Sequence, residues 1–284
     1  MGFLLDTQAT RSALMSVDTT LAANIDATQD YIPVASTANF STSVVAEVES
    51  TNEVVSFTDI SENLSHYSEQ FDNAYWSKSR CSISADAGVA PDGTTTADKL
   101  IPNSGLQSAS SVYILRAVAG SSYTYSVYAK PDGFDYVTVN FQTSSSADTQ
   151  GVRFNISTGA VDASQNATGT ITDAGNGWYR CSMIPTTTTA TTSHMIAASA
   201  GGSFGSYFNT PVTGDGSKGI LIWGAQYETG TLTTYLPTTS AALVGLTGVT
   251  RGANGTTAAS ATSGDDIQQL PYALLNVDMP VRLQ

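Results

Sequence analysis

ILIWGAQYETGTLTTYLPTT, residues 220–239, is the stretch on which the fold turns. Ile220, Leu221, Ile222 and Trp223 make an unbroken apolar run, which suits a strand covered on both faces; Thr229 and Gly230 open a loop that Pro237 ends. The stretch therefore reads as the closing strand of a β-sandwich and the exit from it. Upstream, residues 63–240 are dominated by Ser, Thr, Ala, Gly and Tyr, with few charges and no long 3.6-residue apolar period. Turn signals recur along them: Pro-Asp-Gly at 91–93 and 131–133, Ser-Thr-Gly at 157–159, Gly-Asn-Gly at 175–177. Short strands cut at such intervals predict an all-β sandwich or jelly roll.

Outside this region the texture differs. Val44 to Val48 and Glu53 to Phe57 flank Ser50-Thr51-Asn52, which predicts a β-hairpin, and Tyr31-Ile32-Pro33 marks a strand start. Leu243 to Val249 is strand-like, and Arg251-Gly252-Ala253-Asn254-Gly255-Thr256 is a turn; with no Lys-Ser/Thr after it and no helix, it is not a phosphate loop. Residues 1–18 hold one short mixed segment around Ala9 to Met15, either a helical turn or two or a flexible arm. Residues 265–284, broken by Pro271 and Pro280, are expected to be an extended arm that needs a surface to lie on.

With 284 residues the chain can bury a core without staples. A formal net charge of -13 and a pI near 4.2 disfavour nucleic acid and anionic membranes as partners. Cys81 and Cys181 lack any zinc or redox spacing; they are either two buried free thiols or a disulfide. No basic leader and no apolar run long enough for a bilayer is present, so a soluble protein made in a cytoplasm is expected.

Alternation assigns faces within the sandwich. If Lys130 pairs with Tyr136 across the Pro131-Asp-Gly-Phe-Asp135 loop, then Ala129/Val137, Val127/Val139 and Tyr125/Phe141 are cross-strand pairs facing the core. Val152, Phe154 and Ile156 point inward with Tyr179, Cys181 and Met183. The outer set then includes Tyr128, Lys130, Tyr136, Arg153, Trp178 and Arg180, the candidate ligand-binding residues. Flat rings suit the apolar side of a pyranose, and planar guanidinium or amide groups suit its hydroxyls. The competing reading is plain packing, with the tyrosines as cross-strand partners, Trp178 beneath a loop, and the face against another subunit.

Catalytic constellations are absent from the motifs. His66 and His194 lie in neither a GxSxG nor an HExxH context, and Asp132, Asp135, Asp148, Asp173 and Asp215 all sit in or beside turns where Asp serves the backbone. A glycan-degrading enzyme would need two carboxylates across a cleft, and no such pair stands out.

Five segments carry a family resemblance. NLSHYSEQFDNAYWSKSRCSISADAGVAPDGTTTADKL (63–100), YTYSVYAKPDG (123–133), VRFNISTGAV (152–161), GNGWYRCSM (175–183) and IWGAQYETGTLTTYLPT (222–238) resemble, in order, the carbohydrate-binding-module-like jelly-roll domains of bacteriophage virion and tail proteins. The flanks AANIDATQDYIPVASTANF, EVVSFTDI and LVGLTGVTRGANGTTAASA resemble a small β domain of phage structural proteins, in which the second and third of these follow each other closely. Their separation here implies a jelly roll inserted into a hairpin of the small domain. An exposed hairpin tip tolerates such an insertion when the guest's ends lie close together. The expected domains are an N-terminal arm, 1–18; a discontinuous β base, 19–61 with 241–264; the jelly roll, 62–240; and a C-terminal arm, 265–284. The resemblance further implies a non-enzymatic virion component, assembled in the host cytoplasm and placed on head, neck, tail or fibre. Its partners would be other virion proteins, further copies of itself in a homo-oligomer such as a trimer, and host surface glycans, with a ligand-free architectural protein as the alternative. No cofactor is expected beyond the structural calcium that such modules often hold; Glu69, Asp72, Asp98 and Glu228 lie in comparable regions, where solvated surface acids are the competing reading.

Overall fold

The structure, a computed structural model, describes residues 18–37, 40, 45–118, 123–187, 190–202 and 210–269. The chain divides into two compact units, one formed by Asn63–Ala242 and the other by Met1–Glu62 together with Leu243–Gln284. Nearly all regular structure is antiparallel β; among the described residues the helices are single 3-10 turns at Ser146–Asp148 and Ala253–Gly255.

The larger unit is a sandwich of two six-stranded sheets. The front sheet runs Ala167–Gly175, Trp178–Pro185, Tyr123–Asp132, Gly219–Thr229, Ala97–Pro102, Cys81–Gly88. The back sheet runs Ala160–Gln165, Gln150–Asn155, Tyr136–Thr143, Thr191–Ser199, Ser110–Val118, Ser77–Ser79. Gly219–Thr229 is an interior strand of the front sheet and is buried on both faces until its last residue, as its apolar run requires. Ile220, Ile222, Ala225 and Tyr227 point between the sheets, while Leu221 and Trp223 point out under covering loops.

The inward residues read from alternation are inward. Tyr125, Val127, Ala129, Val137, Val139, Phe141, Val152, Phe154, Ile156, Cys181 and Met183 all belong to the sandwich core, with Tyr179 packed at its margin. The expected pairing of Tyr123–Asp132 with Tyr136–Thr143 is wrong. The first strand pairs with Trp178–Pro185 and Gly219–Thr229, the second with Gln150–Asn155 and Thr191–Ser199. Pro131 and Asp132 still belong to the strand, and at Gly133, with φ 108°, the chain crosses from the front sheet to the back. Tyr125 and Phe141 therefore meet across the core, ring centroids 5.5 Å apart, not side by side in one sheet. His194 lies in the same aromatic cluster, 4.4 Å from the Phe141 ring and 4.5 Å from Tyr227; burial drives its imidazole down to about 3, so it is neutral. Cys81 and Cys181 are free thiols.

In the smaller unit the two stretches flanking the sandwich in sequence are hydrogen-bonded to each other. One sheet runs Asp18–Thr20, Asp266–Gln269, Val45–Val48, Glu53–Ser56; the other runs Ile32–Val34, Leu243–Thr247, Asp59–Asn63. Ser56 and Thr250 exchange backbone hydrogen bonds of 3.1 and 2.8 Å, and Thr58 N donates to Thr247 O at 3.2 Å. Leu21, Ile32, Val48, Val55, Phe57, Leu246 and Ile267 share one core. The hairpin across Ser50-Thr51-Asn52 forms as expected, Val48 opposite Glu53. The expected C-terminal arm needs correction at its start: Asp266–Gln269 is an interior strand, because Ile267 fills the core of this sheet. The rest of that segment, and the mixed stretch around Ala9 to Met15, lie outside the described residues.

The Arg251 turn has a structural task that no local pattern announces. Arg251 Nε and Nη2 donate to the two oxygens of Glu53 at 2.8 and 2.7 Å, Nη2 also to Ala259 O at 2.6 Å, and Nη1 to Asp26 O. Glu53 in turn accepts from the N–H groups of Gly252 and Ala259 at 2.9 and 3.1 Å. Both charges are buried and every oxygen of the carboxylate is used, the condition under which a buried pair is tolerated.

Candidate functional site

Because the two sheets do not pair through the 131–135 loop, the six candidate residues do not share a face. Tyr128, Lys130, Trp178 and Arg180 stand on the outer side of the front sheet; Tyr136 and Arg153 stand on the outer side of the back sheet, across the sandwich. There Arg153 is only 4% exposed. It is spent on Asp162, on Ala200 O and on Thr210, with its guanidinium 5.5 Å from the Tyr136 ring. A side chain so engaged is structural, and these two residues do not contribute to a site with the other four.

On the front sheet, Tyr128 stands opposite Arg180 on one side and Trp223 on the other. Trp178 is buried at 1% exposure beneath the 89–97 loop, its indole N–H donating to Val89 O at 3.0 Å. Trp223, at 4%, donates to Thr96 Oγ1 at 3.0 Å. With Ala90, Ala97 and Leu221 the two indoles form a second apolar cluster, outside the sandwich, on which Tyr128 and Tyr235 pack half-buried. For Trp178 the packing alternative is the one the structure shows.

Tyr235 was not singled out by alternation, because it lies in the exit loop. Hydrogen bonds hold that loop in place: Gln226 Oε1 accepts from Leu236 N at 2.8 Å, Glu228 accepts from Thr233 N at 3.1 Å and from the Thr233 hydroxyl, and Asn63 Nδ2, outside this sheet, donates to Leu236 O at 2.9 Å. The Tyr235 ring then lies 4.7 Å from Trp223 and 5.9 Å from Tyr128, while its hydroxyl bonds to Ser68 Oγ at 2.7 Å and donates to Glu69 Oε1 at 3.0 Å. Arg180 holds Tyr128 from the other side, its guanidinium 5.4 Å from the ring, Nη1 donating to Thr233 O at 2.7 Å and Nη2 to Ser126 Oγ at 3.2 Å. Tied to the exit loop by one terminal nitrogen and to the sheet by the other, Arg180 is a positioning residue for Tyr128.

Gly224 makes the ring arrangement possible. The register between Tyr123–Asp132 and Gly219–Thr229 shifts between Ser126 and Tyr128, and Gly224 sits in this irregularity with φ 61°. A Cβ there would stand 3.0 Å from Tyr128 Cδ2 and 3.2 Å from Tyr235 Cζ. Gly224→Ala is accordingly expected to cost about 1–2 kcal/mol for the left-handed backbone alone and to spread the two tyrosines. Thermal melting, followed with the emission of neighbouring Trp223, checks it; an unchanged melting temperature and spectrum would contradict it.

Of the four acids considered for calcium, Asp98 and Glu228 are buried and hydrogen-bonded, which corrects the expectation of solvated surface acids, and the Asp72 N–H is itself one of the donors to Asp98. Asp98 accepts from the backbone N–H groups of Phe71, Asp72 and Asp86 at 2.7, 3.3 and 3.1 Å; burial raises its carboxyl to about 6 against those bonds. Glu228 is tied to Gln226 and Thr233, Glu69 to Tyr235, and the turn carbonyls of Asp72 and Asn73 are taken by Lys78 Nζ at 2.8 and 2.7 Å. Among the described residues no three His, Cys, Asp or Glu side chains are grouped to hold a metal ion. The turn aspartates act locally, Asp173 on Gly175 N and Asp215 on Ser217 and Lys218 N, while Asp132 pairs with Lys99 at 2.6 Å. His66 stacks on Tyr75, ring centroids 5.0 Å apart.

No protein-family model matches the chain, and no curated protein matches it. Among solved structures, a chain of Clostridium thermocellum endo-1,4-beta-D-xylanase 10B, comprising CBM22-1 and GH10 modules complexed with xylohexaose, is similar at 14% identity and a TM-score of 0.33. The match covers 60% of this chain and 28% of that one. A likeness this slight assigns neither ligand nor activity.

Proposed function

We propose that this protein is a non-enzymatic structural component of a tailed-phage particle, held in the particle by its smaller β unit, with the outer face of the front sheet binding host surface glycans. The phage assignment is supported by the sequence resemblance of the five sandwich segments and of the flanking small domain. One observation carries the glycan reading: Tyr128 and Tyr235, both half-buried, are fixed against each other over Gly224 on a bed of two indoles. Rings immobilised before a ligand arrives lose little entropy on binding, which suits the shallow, weak recognition of sugars. A non-catalytic role is supported by Asp173 and Asp215, which are occupied with backbone N–H groups, and by Asp132, which is paired with Lys99. The partners in this reading are other virion proteins and further copies of the chain, a trimer being the arrangement to look for by light scattering.

A purely architectural role is the second reading. It is favoured by the near-complete burial of Trp178 and Trp223, which makes the cluster resemble a packed loop anchor more than a ligand platform. A bacterial-surface glycan array separates the two. Binding by the wild type, weakened roughly tenfold in Tyr128→Ala and in Tyr235→Ala but not in Tyr136→Ala on the opposite sheet, is the expected result. A wild type that captures no glycan leaves the architectural role.

A further inference from the structure

Charged groups on this face differ in how much of their capacity the fold consumes. Arg180 is committed to Thr233 O and Ser126 Oγ, and its Nε is buried without a partner. Glu228 is saturated by Gln226 and Thr233. Glu69 differs: its Oε1 accepts one hydrogen bond, from Tyr235, and among the described residues no hydrogen bond reaches Oε2. The Tyr235 hydroxyl is itself held by Ser68, so the half-buried carboxylate is oriented at the edge of the ring that packs on Trp223 and Tyr128. Burial, and the charge of Asp92 nearby, act against ionisation of Glu69 while the Tyr235 bond favours it.

We infer that the ligand of this face is a neutral glycan, with the Glu69 carboxylate accepting from sugar hydroxyls while Tyr128 and Tyr235 hold the ring. The inference rests on the sugar-binding reading above. A carboxylate is an acceptor only, so it selects for O–H donors, which every neutral sugar carries in plenty. Uronates, sialates and phosphorylated sugars would bring a further negative charge beside Glu69 and Asp92 on a chain of net charge -13, while Arg180 Nη1 and Nη2 are held by Thr233 O and Ser126 Oγ. Like charges brought together in this way penalise the wrong partner strongly.

The test uses the whole chain on an array of neutral and anionic bacterial-surface glycans, followed by calorimetry on the strongest neutral binder with wild type and Glu69→Gln. Glutamine keeps the length and an oxygen for Tyr235, and removing the charge at a hydroxyl-binding acceptor is expected to weaken binding roughly 10- to 100-fold. Binding confined to anionic glycans, or an unchanged Glu69→Gln affinity beside a weakened Tyr128→Ala, overturns the inference and leaves sugar binding standing. Absence of any bound glycan removes both. Should Glu69→Gln fail to fold, wild-type crystals soaked with the neutral glycan decide: a sugar hydroxyl on the Glu69 carboxylate supports the assignment, and sugar bound elsewhere overturns it.

Discussion

Arg251→Ala is expected to destabilise the smaller unit by about 3–5 kcal/mol, the usual cost of stranding one member of a buried ion pair. Glu53, with no exposed side-chain surface, would keep its two backbone donors but lose both guanidinium bonds, and the carbonyls of Asp26 and Ala259 would lose theirs. The three tryptophans, Trp76, Trp178 and Trp223, all belong to the larger unit, so their fluorescence reports on the sandwich alone. Hydrogen exchange across Glu53–Ser56 and Leu243–Thr247 should accelerate in the variant while the tryptophan transition in denaturant stays in place. An exchange pattern like that of the wild type would contradict the assignment. The same pair predicts an acid limit. Burial pushes Glu53 up, but the Arg251, Gly252 and Ala259 hydrogen bonds outweigh it and hold the carboxyl below its ordinary 4.5. A carboxyl depressed by folding stabilises above its unfolded value, and that contribution drains away as pH falls through the folded one. The smaller unit should therefore weaken below about pH 4.5, and Arg251→Ala should blunt this pH dependence.

Trp76→Ala is expected to cost about 3–5 kcal/mol as well, but in the sandwich. Its ring is 1% exposed, 4.9 Å from Phe71 and 5.6 Å edge-on from Tyr75, and its indole N–H donates to Tyr67 O at 2.9 Å. Truncation would leave a cavity where the 63–76 segment joins the core and remove one of the two donors to Tyr67 O, leaving it only Gln70 N–H at 3.1 Å. Emission of the remaining Trp178 and Trp223 should report unfolding at lower denaturant, with exchange in Glu53–Ser56 unaltered. A midpoint within a few tenths of a kcal/mol of wild type would be incompatible with this packing.

Strand phase was legible in the sequence, and strand partnership was not. A two-residue period says which side chains face the core, so Tyr125, Val127 and Phe141 were placed correctly. It carries no information on which strand lies alongside, so it does not show the crossing at Gly133 and places the six candidates on one face. The exterior is hidden from the sequence for a related reason. Alternation marks Trp178 as outward, but whether outward means wet depends on loops such as 89–97 that have no period of their own. Tyr235 and Glu69 lie in irregular segments and meet through tertiary hydrogen bonds alone. Glu53 and Arg251 are 198 residues apart, and nothing local in either signals the other.

That separation has a consequence for biogenesis. The sandwich is contiguous and can close as soon as Ala242 has left the ribosome, whereas Glu53–Ser56 and Val45–Val48 must wait for Thr250, Arg251 and Asp266–Gln269. At about 5–20 residues per second the wait for Arg251 is roughly 10–40 s, during which the early hairpin has half a core and needs protection. A nascent polypeptide stalled in between would have a finished sandwich and an unfinished smaller unit, so competence of the smaller unit waits on the synthesis of Asp266–Gln269.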